Sequence, residues 1–137
     1  MILYLDTSSV VKLYFDEPDT DAVVRLVSSA RVVATSVVAY AEIRATIARR
    51  RRERLTGSAA AAMAVRQFDA DWESFLAIDV TDALARSAGV LADRHGLRGF
   101  DAIHLASFEY LLTRIDDDEA EFSSADVRLV RAARKLG

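Results

Sequence analysis

The chain has 137 residues, of which 52% are hydrophobic and 28% charged, as expected for one globular domain spanning residues 1–137. The absence of cysteine excludes disulfides, iron–sulfur clusters and thiolate zinc sites, and two histidines are too few for a histidine-rich zinc site. A net charge of −3 argues against broad electrostatic binding of nucleic acid but is compatible with a focused site.

The first predicted element is a strand over residues 2–5, which is apolar at every position and runs straight into Asp6. Such a strand suits a parallel sheet covered on both faces, where ligands bind beyond the carboxyl ends of the strands. Asp6 is therefore either the cap of a helix beginning near Ser8 or one wall of an active site. Because Met1 leads directly into this strand and no apolar run reaches the ~20 residues of a membrane span, we expect a cytoplasmic protein without membrane contact.

The remaining elements alternate between helix and strand. Helices are predicted over about residues 8–15, 20–29, 37–54, 58–75, 82–95, 100–114 and 127–136, and strands over about 31–35, 76–80 and 120–123. This alternation predicts an α/β fold, a three-layer α/β/α sandwich around a mostly parallel sheet of four or five strands. If the second and fourth strands flank the first, a crevice opens at the carboxyl ends of the strands.

Four acidic residues can converge on this crevice. Asp6 and Asp126 follow strands, Glu42 lies on a largely apolar helix face, and Asp101 opens a nearly apolar helix. Each also has a simpler explanation, because Asp6 and Asp101 suit helix caps and Glu42 suits a position that reaches water or an arginine. Clustered carboxylates repel one another unless a cation lies among them, so together they favour a divalent-metal site. Oxygen ligands favour Mg²⁺, with Mn²⁺ as the alternative.

These acids resemble the motifs of PIN-domain ribonucleases, and the length and layout are similar to VapC-type toxins of bacterial toxin–antitoxin modules. The motifs are Asp6-Thr-Ser8, Glu42 in Ser-Val-Val-Ala-Tyr-Ala-Glu-Ile, Asp101 in Phe-Asp-Ala-Ile-His-Leu-Ala, and Asp126 in Phe-Ser-Ser-Ala-Asp. The resemblance covers essentially the whole chain. It implies a Mg²⁺-dependent endoribonuclease that hydrolyses RNA phosphodiester bonds as the toxin of a type II pair. It also implies a small cognate antitoxin, a homodimer, and catalytic metal ligands at Asp6, Glu42, Asp101 and Asp126.

Two departures from the family pattern concern hydroxyl groups. The family often has Asn two residues after the first Asp and Thr in the last motif, where this chain has Ser8 and Ser124. Both serines keep a hydrogen-bonding group, so we expect them to orient the neighbouring carboxylates.

Other classes of protein fit the sequence less well. A phosphotransferase of the haloacid-dehalogenase type needs a second aspartate where Ser8 stands, and one of the receiver type needs an acidic pair before the first strand. A non-catalytic PIN-like binding module would be expected to have lost one of the four acids, and none is missing. A free-standing RNA-processing nuclease stays open as an alternative to a toxin.

The other residues of interest are a histidine, several arginines and an acidic run. His104, three residues after Asp101, is interpreted as a packed or surface histidine in preference to a general acid. Arg44, Arg98 and the run from Arg49 to Arg54 are candidates for RNA contact, although a solvated helix end is the simpler explanation of the run. The acidic run over residues 116–119 lacks the ligand pattern of a calcium hand and is interpreted as a solvated loop.

Overall fold

A computed structural model describes residues 1–115 and 119–136. The elements in chain order are β1 (Ile2–Leu5), α1 (Thr7–Val11), α2 (Thr20–Ser29), β2 (Val32–Ser36), α3 (Val38–Arg52), α4 (Ser58–Trp72), β3 (Leu76–Ile78), α5 (Asp82–His95), α6 (Gly99–Leu112), β4 (Ala120–Ser123) and α7 (Val127–Arg134). Every predicted element is present, and most bounds agree within two or three residues. The main difference is α1, which ends at Val11 and not near Phe15. Most of the predicted acidic loop lies outside the described residues.

The described strands form one parallel sheet in the order β3-β2-β1-β4. β1 is central and pairs with β2 from Ile2 opposite Val32, and with β4 from Ile2 opposite Ala120. The predicted α/β class is therefore confirmed, and the condition stated for the crevice, that the second and fourth strands flank the first, is met. Because the chain leaves β1 toward β2 on one side and returns to β4 on the other, a crevice is expected at the carboxyl ends of these strands.

Alternate residues of β1 enter two separate cores, which makes the fold a three-layer sandwich. Tyr4 packs with α5, α6 and α7 on one face, in a cluster that includes Leu105 and Leu129. Leu3 packs with the first four helices on the other face, in a cluster that includes Phe68. All of β1 is buried, as a strand covered on both sides must be.

The topology decides which residues meet at the carboxyl edge of the sheet. Asp6 follows β1 directly, and α3 starts just after β2. α6 runs back toward the start of β4, so its first turn, with Asp101, lies at the same edge. In the described part of the chain, no helix combines the length and apolar character needed to cross a membrane.

Candidate active site

Asp6 is both a helix cap and a wall of the crevice, so the two interpretations of this residue are compatible. Its Oδ1 accepts hydrogen bonds from the Ser9 amide at 3.1 Å and the Ser8 hydroxyl at 2.7 Å. The residue is only 4% exposed. Burial raises the pKa of the Asp6 carboxyl above its ordinary value, against the lowering effect of hydrogen bonds from Ser124 and Ser8. The fold therefore carries a buried acid that is costly to ionise without a cation.

Three of the predicted acids line one pocket of about 340 Å³. Asp6 comes from the end of β1, Glu42 from α3 and Asp101 from the first turn of α6. These helices belong to opposite layers of the sandwich, so residues far apart in sequence meet at the sheet edge. A larger groove of about 510 Å³ beside β3 and α5 contains none of the predicted site residues.

Glu42 is held by two side chains at the same oxygen. Its Oε1 accepts a hydrogen bond from the Thr7 hydroxyl at 2.6 Å and lies 3.1 Å from Nε2 of His104. Burial acts to raise the pKa of Glu42, but the bonds from His104 and Thr7 outweigh it and leave the pKa below its ordinary value. Glu42 is therefore kept as an anion, and its partners are other residues of the pocket.

Asp101 and Asp126 are both more exposed than Asp6. The Asp101 carboxylate lies 3.5 Å from the guanidinium of Arg98, whose side chain is almost fully exposed. Asp101 does not cap α6. Asp126 caps α7 by accepting a hydrogen bond from the Arg128 amide at 2.9 Å. Asp126 is not among the pocket-lining residues, although its neighbour Ala125 is. The structure thus brings three of the four predicted acids into the pocket, which Glu17 also lines, and places Asp126 beside its rim.

The two serines join the loop after β4 to Asp6. The Ser8 hydroxyl donates to Asp6 and accepts a hydrogen bond from the Ala125 amide at 2.9 Å. The Ser124 hydroxyl accepts from the Asp126 amide at 3.0 Å and lies 3.5 Å from that of Ser8. These contacts are of the kind expected for groups that orient carboxylates.

His104 is a site residue whose position the sequence indicated only weakly. It is packed, which is one of the two positions predicted for it, and is only 2% exposed. It also lines the acidic pocket and contacts Glu42 through Nε2, while Nδ1 lies 2.8 Å from the Tyr4 hydroxyl. The signal available in the sequence was its spacing from Asp101, which places both residues on one face of α6.

Among the candidate arginines, Arg49 lies in the wall of the pocket. It stands about two turns after Glu42 on α3, on the same face of the helix. Arg44 instead donates to the Tyr40 hydroxyl at 2.9 Å, and Arg98 pairs with Asp101. Arg50 lies over the ring of Phe15, forms an ion pair with Glu17 and donates a hydrogen bond to Thr56.

The donor set of the pocket suits a hard divalent cation. Its acids offer only oxygen ligands, and among the described residues no lysine or arginine forms an ion pair with Asp6 or Glu42. Within residues 1–115 and 119–136, no three histidine or acidic side chains are arranged to hold one ion directly. Coordination would therefore require small side-chain rotations or bridging waters, and Mg²⁺ usually keeps several waters in protein sites.

Sequence comparison places these features in a known context. The PIN domain family profile matches residues 3–135. The chain is 33% identical over 106 residues to Ribonuclease VapC45 of Mycobacterium tuberculosis (strain CDC 1551 / Oshkosh), covering 77% of this chain and 74% of that protein. The values for Ribonuclease VapC49 of M. tuberculosis strain H37Rv are the same.

Solved structures share the fold at low sequence identity. FitAcB from Neisseria gonorrhoeae superposes with a TM-score of 0.66 at 19% identity, over 98% of this chain and 94% of the other. VapC20 of M. tuberculosis, a toxin that cleaves the sarcin–ricin loop, gives 0.65 at 23% identity, over 90% of this chain and 91% of the other. VapBC2 from Rickettsia felis, bound to a DNA fragment from its promoter, gives 0.59 at 14% identity, over 90% and 100%.

Proposed function

Because the chain belongs to the PIN-domain family, we propose that it is a metal-dependent endoribonuclease that hydrolyses RNA phosphodiester bonds as the toxin of a type II toxin–antitoxin pair. The observation that carries this proposal is the meeting of Asp6, Glu42 and Asp101 in one pocket at the carboxyl edge of the sheet. The names of the two VapC ribonuclease relatives support the same activity.

Asp6, Glu42 and Asp101 would hold the metal, and Asp126 would complete the site from the rim. Mg²⁺ is the ion that the oxygen donors favour, and Mn²⁺ is the alternative. When bound, a divalent cation supplies Lewis acidity to the scissile phosphate and to an attacking water. Ser8 and Ser124 keep the loop after β4 attached to Asp6, which preserves the distance between the acids on the two strands.

Arg49 would bind the RNA backbone at the edge of the pocket. Its position two turns beyond Glu42 lets a guanidinium contact a phosphate next to the one that lies over the acids. A local cation of this kind allows a protein with a net charge of −3 to bind RNA at one site without general affinity for nucleic acid.

The acidic pocket also suits a protein inhibitor. An arginine forms bidentate, charge-assisted bonds to carboxylates, so an arginine of a small antitoxin could occupy the pocket and exclude the metal. The fold shared with VapBC2 supports a partner of this kind. We also expect a symmetric homodimer, the commonest soluble oligomer.

Cleavage of RNA by the purified chain tests the proposal. Wild type should cut RNA with Mg²⁺ or Mn²⁺ and lose activity in EDTA. Glu42→Gln and Asp101→Asn should each lower the rate by on the order of 10²–10³-fold, as removal of one electrostatic group at a reaction centre does. Equal cleavage by wild type and Asp101→Asn would refute the assignment of the site.

A cellular experiment separates a toxin from an RNA-processing enzyme. Brief induction of wild type, beside Asp101→Asn as the inactive control, should arrest growth, and sequencing of RNA ends should reveal the cleavage site. Co-expression of the small gene that is expected to lie beside this one and encode the cognate antitoxin should restore growth. Cleavage that continues unchanged in the presence of that gene product would indicate a free-standing processing nuclease.

A further inference from the structure

A chain of buried and partly buried hydrogen bonds connects β1 to the pocket carboxylate of Glu42. The Tyr4 hydroxyl lies 2.8 Å from Nδ1 of His104, and Nε2 of His104 lies 3.1 Å from Glu42 Oε1. The Thr7 hydroxyl lies 3.1 Å from the same Nε2 and donates to the same Oε1 at 2.6 Å. Two side chains thus converge on a single oxygen of one acid, and Tyr4 contacts one of them, His104.

The donors in this network can be assigned from the protons available. Thr7 has one hydroxyl proton, and its bond to Glu42 uses it, so Thr7 can only accept from His104. The ionised carboxylate of Glu42 also has no proton to give. Nε2 of His104 must therefore carry the proton that faces both groups, whether the ring is neutral or charged.

The other end of the network is fixed by packing. Tyr4 has no exposed surface, and its ring stacks on Phe122 at 5.4 Å with an interplanar angle of 6°. Burial raises the pKa of the Tyr4 phenol well above its ordinary value, so the phenol keeps its proton and can donate to Nδ1 of His104. A rigid strand residue therefore sets the orientation and favours the Nε2–H form of the histidine.

We propose that Tyr4, His104 and Thr7 are positioning residues that hold Glu42 by its Oε1 and leave Oε2 as the oxygen that binds the metal. This inference rests on the proposed function. Among the described residues, both side-chain partners of the Glu42 carboxylate lie on Oε1, and Oε2 has no hydrogen-bond partner.

A histidine that served only to fill the core would be expected to bond to backbone groups or water. His104 instead bonds to three side chains, one of which, Thr7, directly follows Asp6. Partners that fix a metal ligand typically change metal affinity by about 10- to 100-fold when removed. The network should therefore act on metal affinity more than on the folded structure.

The first test measures the histidine in the metal-free wild type and needs no variant. A long-range ¹H–¹⁵N spectrum distinguishes a protonated from an unprotonated ring nitrogen. We expect the Nε2 shift of His104 to be that of a protonated nitrogen. A bare Nε2 with the proton on Nδ1 would overturn the proposal.

The second test is calorimetric titration of metal-free protein with Mn²⁺ alone. His104→Leu should weaken binding about 10- to 100-fold, Tyr4→Phe should weaken it less, and His104→Gln should recover part of the loss because its amide can donate to Glu42. Thr35→Val is the matched control, since Thr35 is also fully buried and donates a 2.7 Å hydrogen bond, but to the Leu5 carbonyl.

The outcomes separate this inference from the proposed function. Thr35→Val should lower the melting temperature without changing Mn²⁺ affinity. Wild-type affinity in folded His104→Leu would overturn the positioning role and leave the metal site standing. Failure of wild type to bind Mn²⁺ at all would overturn both.

Discussion

Replacing Asp6 with Asn should uncouple stability from metal binding. Asp6 is 4% exposed, and its Oδ1 accepts the bonds from Ser8 and Ser9. Asn keeps an oxygen at that position and caps helices about as well as Asp. The main change is the loss of a buried negative charge, so the variant in EDTA should melt at or above the temperature of wild type.

The size of the metal effect follows from mass action and chain length. A metal present at 100 times its Kd stabilises the folded state by about 2.7 kcal/mol. The entropy of unfolding is about 2.1 cal/mol/K per residue, which gives about 0.3 kcal/mol/K for 137 residues. Wild type should therefore gain about 9 °C in melting temperature under these conditions, and Asp6→Asn should gain far less.

Differential scanning calorimetry with EDTA and with a Mn²⁺ series measures both effects. Asp93→Asn is the control, because Asp93 is an exposed acid of α5 that does not line the pocket. That variant should retain the full metal-dependent gain. An equal gain in Asp6→Asn and wild type would show that the ion binds elsewhere and would refute the reasoning from the buried carboxyl.

The other predictions concern pH, RNA and the core. Because the folded pKa of Asp6 is raised, the stability of metal-free wild type relative to Asp6→Asn should be greatest below the ordinary carboxyl pKa and fall as pH rises through the raised value; urea unfolding at a series of pH values measures this. Arg49→Ala should weaken RNA binding and reduce the salt slope by about 0.7, whereas the exposed Arg52→Ala should leave both nearly unchanged; fluorescence anisotropy at several salt concentrations compares them. Phe68→Ala should cost about 3–5 kcal/mol in urea unfolding, because Phe68 is fully buried against three aromatic rings.

Patterns within single elements predicted the architecture. A strand buried at every position requires cover on both faces, so residues 2–5 alone indicated the parallel sheet and the location of Asp6. Connection rules restrict the possible strand orders without selecting one, so the placement of the second and fourth strands beside the first was only a condition for the crevice. Asp101 was suggested as a possible helix cap, but Arg98 occupies the N-cap position of α6.

Features that depend on tertiary contacts were harder to predict. The Tyr4–His104 bond joins residues 100 positions apart, so no pattern within α6 identifies the partner of the histidine. The sequence interpretation of His104, as a packed or surface histidine, did not include what the side chain contacts. α1 also ends earlier than predicted, and just beyond its end the Lys12 side chain donates to the Pro18 carbonyl at 2.6 Å.

Asp6 and Asp126 combine a helix-capping role with a charge at or beside the pocket, and this decides which substitutions are informative. In each case the carboxylate accepts a hydrogen bond from a backbone amide of the helix that follows. An alanine at either position would remove the cap at a cost of about 1 kcal/mol, so a loss of cleavage could reflect a displaced helix. Asparagine keeps the cap and removes the charge, which means that a loss of activity in the Asn variants reports on electrostatics. The same logic explains why an acid can occupy the start of a helix with almost no solvent exposure: the amide of Ser9 already provides part of the positive environment that a metal would complete.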